Sequence, residues 1–168
     1  MDAASGFYQV PREENDIGKT GFTCKYGTFE YEVMPMELKN AAATFQRLMN
    51  RVIADYLGLF VMAYIDDIVV YSESMEEHAD HLEWVFKRLR EANIKLKWKK
   101  CSFGFNTIQF LGHQVSGVGL WPSDRTAEKL REMRRPNSRN EMEAFFGLCG
   151  YYRRFVPSYT EMAASLTE

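Results

Sequence analysis

Leu59-Phe60-Val61-Met62-Ala63-Tyr64-Ile65-Asp66-Asp67-Ile68-Val69-Val70-Tyr71 holds two apolar runs on either side of a pair of carboxylates. Runs of this length, rich in Val, Ile and Tyr, read as strands. The pattern predicts a hairpin with Asp66-Asp67 at its tip. Tight hairpin turns usually take Gly or Asn, whose positive φ suits the twist of the strands; this tip has neither. Flanks this apolar are buried, so the two charges must face water, a cation or a ligand. Adjacent carboxylates suit magnesium, a hard cation that prefers carboxylate oxygens and keeps waters or phosphates as its other ligands. Two such ions about 4 Å apart can activate a hydroxyl and stabilise a leaving pyrophosphate. Phosphoryl transfer asks little else of a protein beyond positioning and charge neutralisation. Two acids in a turn are also common without any such role, so the dipeptide alone does not decide.

Outward from the hairpin, the chain alternates helical and strand patterns. Thr20–Cys24 and Thr28–Val33 are β-prone, with Tyr26-Gly27 between them as a turn. Phe45, Leu48, Met49, Val52, Ile53 and Tyr56 recur at three- and four-residue steps, predicting a helix from Ala41 to Leu57 closed by Gly58. Ser74 and Glu77 form a capping-box pattern ahead of the stripe His78, Leu82, Val85, Phe86, Leu89. Short strands are expected at Ile94–Leu96, Cys101–Phe103, Ile108–Leu111 and His113–Ser116. After Pro122 the pattern is helical: one helix capped by Ser123 or Asp124 and ending before Pro136, a second opened by Ser138 and Glu141, and a third after Pro157. The shift from mixed helix and strand to helix alone puts a boundary near Gly117–Pro122. Both termini read as cut, which suggests a piece of a longer protein.

Composition excludes several classes. With 168 residues, 46% apolar and 14% aromatic, the chain is a globular domain and not a disordered one. Its longest near-apolar stretch, Leu57–Ile65, is too short to span a bilayer. No signal segment opens the chain. Cys24, Cys101 and Cys149 are too few and too far apart for a disulfide framework or a zinc site, and suit a reducing compartment. Net charge is −2, so bulk charge says nothing of nucleic acid, but charge is uneven. Residues 87–100 carry seven Lys and Arg against Glu91 alone, with Trp98 inside and Phe103 and Phe105 following; residues 125–139 carry six basic residues against two acidic. Basic residues with aromatics fit a phosphate backbone and stacked bases, although for the basic run alone a solvated helix face followed by a surface hairpin is the more ordinary account.

Further motifs stand in fixed order around the hairpin: Asp2; Ser5-Gly6-Phe7-Tyr8; Lys19-Thr20-Gly21-Phe22; Tyr31-Glu32-Val33-Met34-Pro35; Asn40-Ala41-Ala42-Ala43-Thr44-Phe45-Gln46; Tyr64-Ile65-Asp66-Asp67; Lys100-Cys101-Ser102-Phe103; Phe110-Leu111-Gly112-His113; Phe146-Gly147-Leu148; and Tyr151-Tyr152-Arg153-Arg154-Phe155. In this order and spacing, over essentially the whole chain, they resemble the reverse transcriptase of gypsy-type LTR retrotransposons.

The resemblance implies an α+β fold: a polymerase palm, an antiparallel sheet with packed helices, over 1–118, followed by a small helical thumb-like segment over 119–168. It implies an RNA-directed DNA polymerase that adds deoxynucleotides to a primer 3′-hydroxyl. Asp2, Asp66 and Asp67 match the family's metal-binding carboxylates, implying two Mg2+ ions, with Mn2+ as a possible substitute. Phe7 matches the aromatic residue that excludes a ribose 2′-hydroxyl, and Met36 falls beside the incoming nucleotide. Gln46, Tyr64, Leu111, Gly112 and His113 match template and primer positions. The implied partners are an RNA or DNA template with a DNA primer, deoxynucleoside triphosphates, and the rest of a Pol polyprotein (RNase H and integrase) outside this chain. No membrane is involved; the implied location is intracellular, in a cytoplasmic particle or the nucleus. His78 and His81 read as structural or surface residues.

Two positions depart from the family pattern. Glu37 stands where Met-Pro-Phe-Gly-Leu has glycine, and Ala42 stands where Asn-Ala-Pro-Ala has proline. The fingers segment that would precede Asp2 is also missing. These departures keep two rivals open: a catalytically inactive nucleic-acid-binding remnant, and a fold fragment with no biochemical role.

Overall fold

The computed structural model describes residues 1–167, with side chains through Ala164. The chain forms two compact units, Met1–Gly104 and Phe105–Glu168.

In the first unit, β1 (Phe22–Cys24) and β2 (Gly27–Phe29) form an exposed hairpin. A single turn, α1 (Glu14–Ile17), precedes them. Helix α2 (Ala41–Val52) starts on three alanines, strong helix formers. It buries Phe45 and Met49 completely, and Ile53 follows them into the core just past its end. The central hairpin pairs β3 (Val61–Tyr64) with β4 (Asp67–Val70), Val61 opposite Val70 and Tyr64 opposite Asp67. Val61 and Ile68 are fully buried on the same face as the α2 stripe. Helix α3 (Met75–Glu91) closes the core with Val85 and Leu89.

Two further segments extend this sheet without forming full strands. Met1 and Ile68 exchange backbone hydrogen bonds of 2.7 and 2.8 Å, Asp2 bridges Asp67, and Ala3 N donates to Asp66 O at 2.9 Å. On its other side the N-terminal segment pairs with residues 95–97: Ala4 N donates to Lys95 O and Lys97 N donates to Asp2 O, each at 2.8 Å. Gln9 locks this join, its Nε2 donating to Ala4 O (2.7 Å) and its Oε1 accepting from Lys95 N (2.7 Å).

The second unit is a three-stranded antiparallel sheet, β5 (Thr107–Phe110), β6 (His113–Ser116) and β7 (Gly119–Pro122), followed by α4 (Asp124–Glu132), α5 (Arg139–Tyr151) and α6 (Tyr159–Thr167). Among the described residues no helix is long and apolar enough to cross a membrane.

Several expectations are corrected in detail. The central turn is Ile65-Asp66, and Asp67 is already a strand residue, because a two-residue loop pairs Tyr64 with Asp67. The first hairpin turns at Lys25-Tyr26, one residue earlier than expected. Helix α2 stops at Val52, and the apolar repeat runs on to Tyr56 through turns that still face the core. Ile94–Leu96 makes one bridge, Leu96 with Ala3, and Cys101–Phe103 is irregular. Strand β7, which periodicity placed in the linker, joins the sheet, so the composition shift at Gly117–Pro122 falls inside the second unit. The expected caps are present: Ser74, Ser123 and Ser138 each accept from the backbone N–H three residues on.

Candidate active site

The sheet brings three carboxylates from two chain segments together. Asp67 heads β4, Asp66 sits in the turn before it, and Asp2 lies across from Asp67 on the neighbouring segment. Their proximity shows in their electrostatics. Burial, then the charge of Asp2, then that of Asp67, push the Asp66 carboxyl above its ordinary value of 3.8, while Lys100 pulls it down. Lys100 Nζ is 3.3 Å from Asp2 Oδ2, a largely solvated contact.

Asp66 Oδ1 is buried with no hydrogen-bond partner among the described residues. An orphaned anionic oxygen is costly, and a divalent cation would satisfy it. Among the described residues no three His, Cys, Asp or Glu side chains close into a ready metal cage. Magnesium does not require one, because it commonly takes one or two carboxylates and completes its shell with water and substrate phosphates. The donor set therefore fits a hard divalent ion.

The walls of the site are specific. A Cβ on Gly6 would lie 2.2 Å from Asp66 Oδ1 and 2.7 Å from Phe45 Cζ, so only glycine leaves room for that carboxylate. Phe7 follows in the same 3-10 turn and packs edge-on against Phe45, centroids 5.6 Å apart. It is half-buried. Gln46, next to Phe45 on α2, reaches the hairpin backbone: its Oε1 accepts from Ile65 N (2.7 Å) and its Nε2 donates to Ala63 O (2.9 Å). Tyr64 is exposed on β3. Met36 and Glu37 are exposed in a turn ahead of α2, so the unexpected carboxylate is solvated.

Leu111, Gly112 and His113 belong to the second unit. Leu111 (φ 49°) and Gly112 (φ 76°) form the two-residue turn between β5 and β6. A Cβ on Gly112 would lie 2.6 Å from Tyr152 Oη. Tyr151 and Tyr152 hydroxyls donate to the Leu111 and Gly112 carbonyls at 2.8 and 3.1 Å, and the His113 ring lies against Tyr151, Tyr152 and Phe155. The distant Tyr-Tyr motif thus braces this turn. His78 and His81 both hydrogen-bond Ser72, and His81 stacks on Phe60, a structural arrangement as expected. Sequence reasoning did not single out Gly6 or Ile65 on their own. The signal for Gly6 lay only in its place within the Ser5-Gly6-Phe7-Tyr8 motif.

A sheet carrying three carboxylates on a hairpin and its neighbour, backed by helices, defines a polymerase palm architecture. Residues 1–115 match the family model described as reverse transcriptase (RNA-dependent DNA polymerase), and the chain belongs to that family. It is 40% identical over 167 residues to a retrovirus-related Pol polyprotein from transposon 297 of Drosophila melanogaster, covering 99% of this chain and 16% of that one. It is 31% identical over 166 residues to the transposon Tf2-3 polyprotein of Schizosaccharomyces pombe, covering 99% and 12%. Among solved structures, a foamy viral protease–reverse transcriptase in complex with double-stranded DNA superposes with a TM-score of 0.91 at 27% identity, covering 98% of this chain and 29% of that one. One in complex with an RNA/DNA hybrid gives 0.85 at 27% identity, covering 98% and 22%. The chain thus spans about a sixth or less of the curated relatives cited and under a third of these solved chains.

Proposed function

We propose that this chain is the palm (1–118) and thumb-like segment (119–168) of an RNA-directed DNA polymerase from a retrotransposon Pol polyprotein. In the reaction the 3′-hydroxyl of a DNA primer displaces pyrophosphate from a deoxynucleoside triphosphate at its α-phosphate. The observation that carries the reading is the convergence of Asp2, Asp66 and Asp67, with Asp66 Oδ1 buried and without a hydrogen-bond partner among the described residues. Asp2, Asp66 and Asp67 would hold two Mg2+ ions, or Mn2+ in their place. Bound there, such ions supply Lewis-acid activation and neutralise phosphate charge. The chain's own part is positional. Gly6 and Phe45 fix the space the Asp66 carboxylate fills, and Phe7 would exclude a ribose 2′-hydroxyl. Met36 would line the nucleotide from the turn before α2, and Tyr64, Leu111, Gly112 and His113 would meet template and primer.

The relatives support a duplex partner, since the foamy viral enzymes were solved on double-stranded DNA and on an RNA/DNA hybrid. The proposal extends to RNase H and integrase regions elsewhere in the same polyprotein. It also extends to an intracellular location, a cytoplasmic particle or the nucleus, in keeping with three free cysteines.

Magnesium-dependent extension of a DNA primer on an RNA template, by the parent and by Asp66→Asn, tests the reading. Metal-ion assistance is worth several kcal/mol, so the variant should lose about a thousandfold in rate or more. Equal extension by both would sink the carboxylate assignment. Salt-sensitive duplex binding by the parent with no synthesis at all would establish the inactive remnant instead.

A further inference from the structure

The turn that carries Asp66 is under strain. Ile65 has φ 51°, in the left-handed region that a β-branched side chain resists. Such a conformation persists only where its surroundings hold it. The Gln46 amide is what holds it here. Its Oε1 accepts the Ile65 N–H at 2.7 Å, and its Nε2 donates to the Ala63 carbonyl at 2.9 Å and to Asn50 Oδ1 at 2.8 Å. The amide orientation follows from its partners: Ile65 N–H can only donate and the Ala63 carbonyl can only accept. Both Nε2 protons are used. The grip comes from a helix anchored by its neighbour Phe45, which is wholly buried and also walls the Asp66 carboxylate.

We propose that Gln46 is a positioning residue that aims the Asp66 carboxylate by clamping the strained Ile65 backbone, and that it does not read the template. This rests on the reading of the three carboxylates as a divalent-ion site. Both amide protons are engaged within the chain, so a hydrogen bond from Gln46 Nε2 to the template would cost it the Ala63 carbonyl or Asn50.

The test titrates Mn2+ into the whole chain, with free ion followed by electron paramagnetic resonance, alongside hydrogen exchange at the Ile65 amide. The variants are Asp66→Asn, Gln46→Leu, and Gln46→Leu combined with Ile65→Gly. Residues that orient a ligating group typically change metal affinity by about 10- to 100-fold. Gln46→Leu should therefore weaken Mn2+ binding about tenfold and speed Ile65 exchange. Glycine takes the same φ without strain, so the double variant should recover affinity to within about threefold of the parent. A Gln46→Leu protein that binds Mn2+ like the parent, while Asp66→Asn does not, overturns the proposal. So does a weakened Gln46→Leu that glycine fails to rescue. If the parent binds no tighter than Asp66→Asn, the ion-site reading fails; the amide then decides on the clamp separately, and unchanged exchange in Gln46→Leu overturns it. Should Gln46→Leu not fold, Gln46→Met, closer in shape, is read the same way.

Discussion

The first unit contains two hairpins of the same plan, each an antiparallel pair joined by a two-residue turn, and they solve the turn differently. In β1–β2 every strand residue is exposed, no turn residue has positive φ, and the positive φ falls just past the turn on a glycine, Gly27 (φ 130°), the first residue of β2. In β3–β4 the positive φ falls on an isoleucine, and Val61 and Ile68 are wholly buried. A hairpin standing in solvent has only its local geometry and cross-strand pairs to hold it, so its backbone must be relaxed. A hairpin gripped by α2 and by the N-terminal segment can carry strain, because tertiary contacts oppose its release. The strained turn is also the one that bears the carboxylates. Rigid placement of Asp66 comes from the packing behind it, and the loop itself contributes little.

If that contrast is right, truncation should separate the two hairpins sharply. Ile68→Ala removes a wholly buried side chain between α2 and the sheet and should cost about 2–5 kcal/mol in urea unfolding. Phe29→Ala, on the exposed hairpin, removes a half-exposed ring that pairs with Phe22 at 5.9 Å and should cost no more than about 1 kcal/mol. Comparable losses would show that the outer hairpin is as integrated as the inner one.

A smaller effect is expected from charge at the strained turn. The Asp66 carboxyl is raised above 3.8 chiefly by burial, so the folded protein without metal holds its proton more tightly than the unfolded chain. The penalty is absent below the unfolded value, grows as pH rises through it, and is complete above the raised folded value. Asp66→Asn should therefore melt higher than the metal-free parent at pH 7, by about 1–3 °C given solvent screening. That gain should vanish as pH falls below about 4. Saturating Mg2+ should raise the parent's melting temperature and leave the variant's unchanged. A gain that persists at pH 3, or a variant that melts lower at pH 7, would contradict a strained and charged turn.

The sequence made the hairpin legible because two apolar runs flank two acids, and made α2 legible because Phe45, Met49 and Ile53 keep helical spacing. It misplaced the turn by one residue, since nothing local says that an isoleucine will adopt positive φ; the partners that hold the turn, Gln46 on Ile65 N and Ala3 on Asp66 O, lie far away in sequence. Strand β7 was unreadable for a similar reason. Gly119-Leu120-Trp121-Pro122 carries two residue types that strands avoid, and its pairing to β6 is a tertiary outcome. Family motifs located Gly6, but its reason, a carboxylate oxygen where a methyl would go, is visible only in three dimensions.

The smallest expected effect lies at the centre of the outer hairpin, where Thr23 and Thr28 face each other with hydroxyls 3.1 Å apart. That contact looks like the outer counterpart of the Gln46 clamp, but solvent makes it different. Both hydroxyls are exposed, so a lost partner is replaced by water at little cost. Valine keeps the β-branched shape that suits a strand. Thr28→Val should therefore change stability by no more than about 0.5 kcal/mol in urea unfolding, and primer extension, where present, should be unaltered. A loss above about 1 kcal/mol would mean that the outer hairpin relies on a specific side-chain clamp too. The two hairpins would then differ in the burial of their partners alone, and not in whether the turn needs to be held.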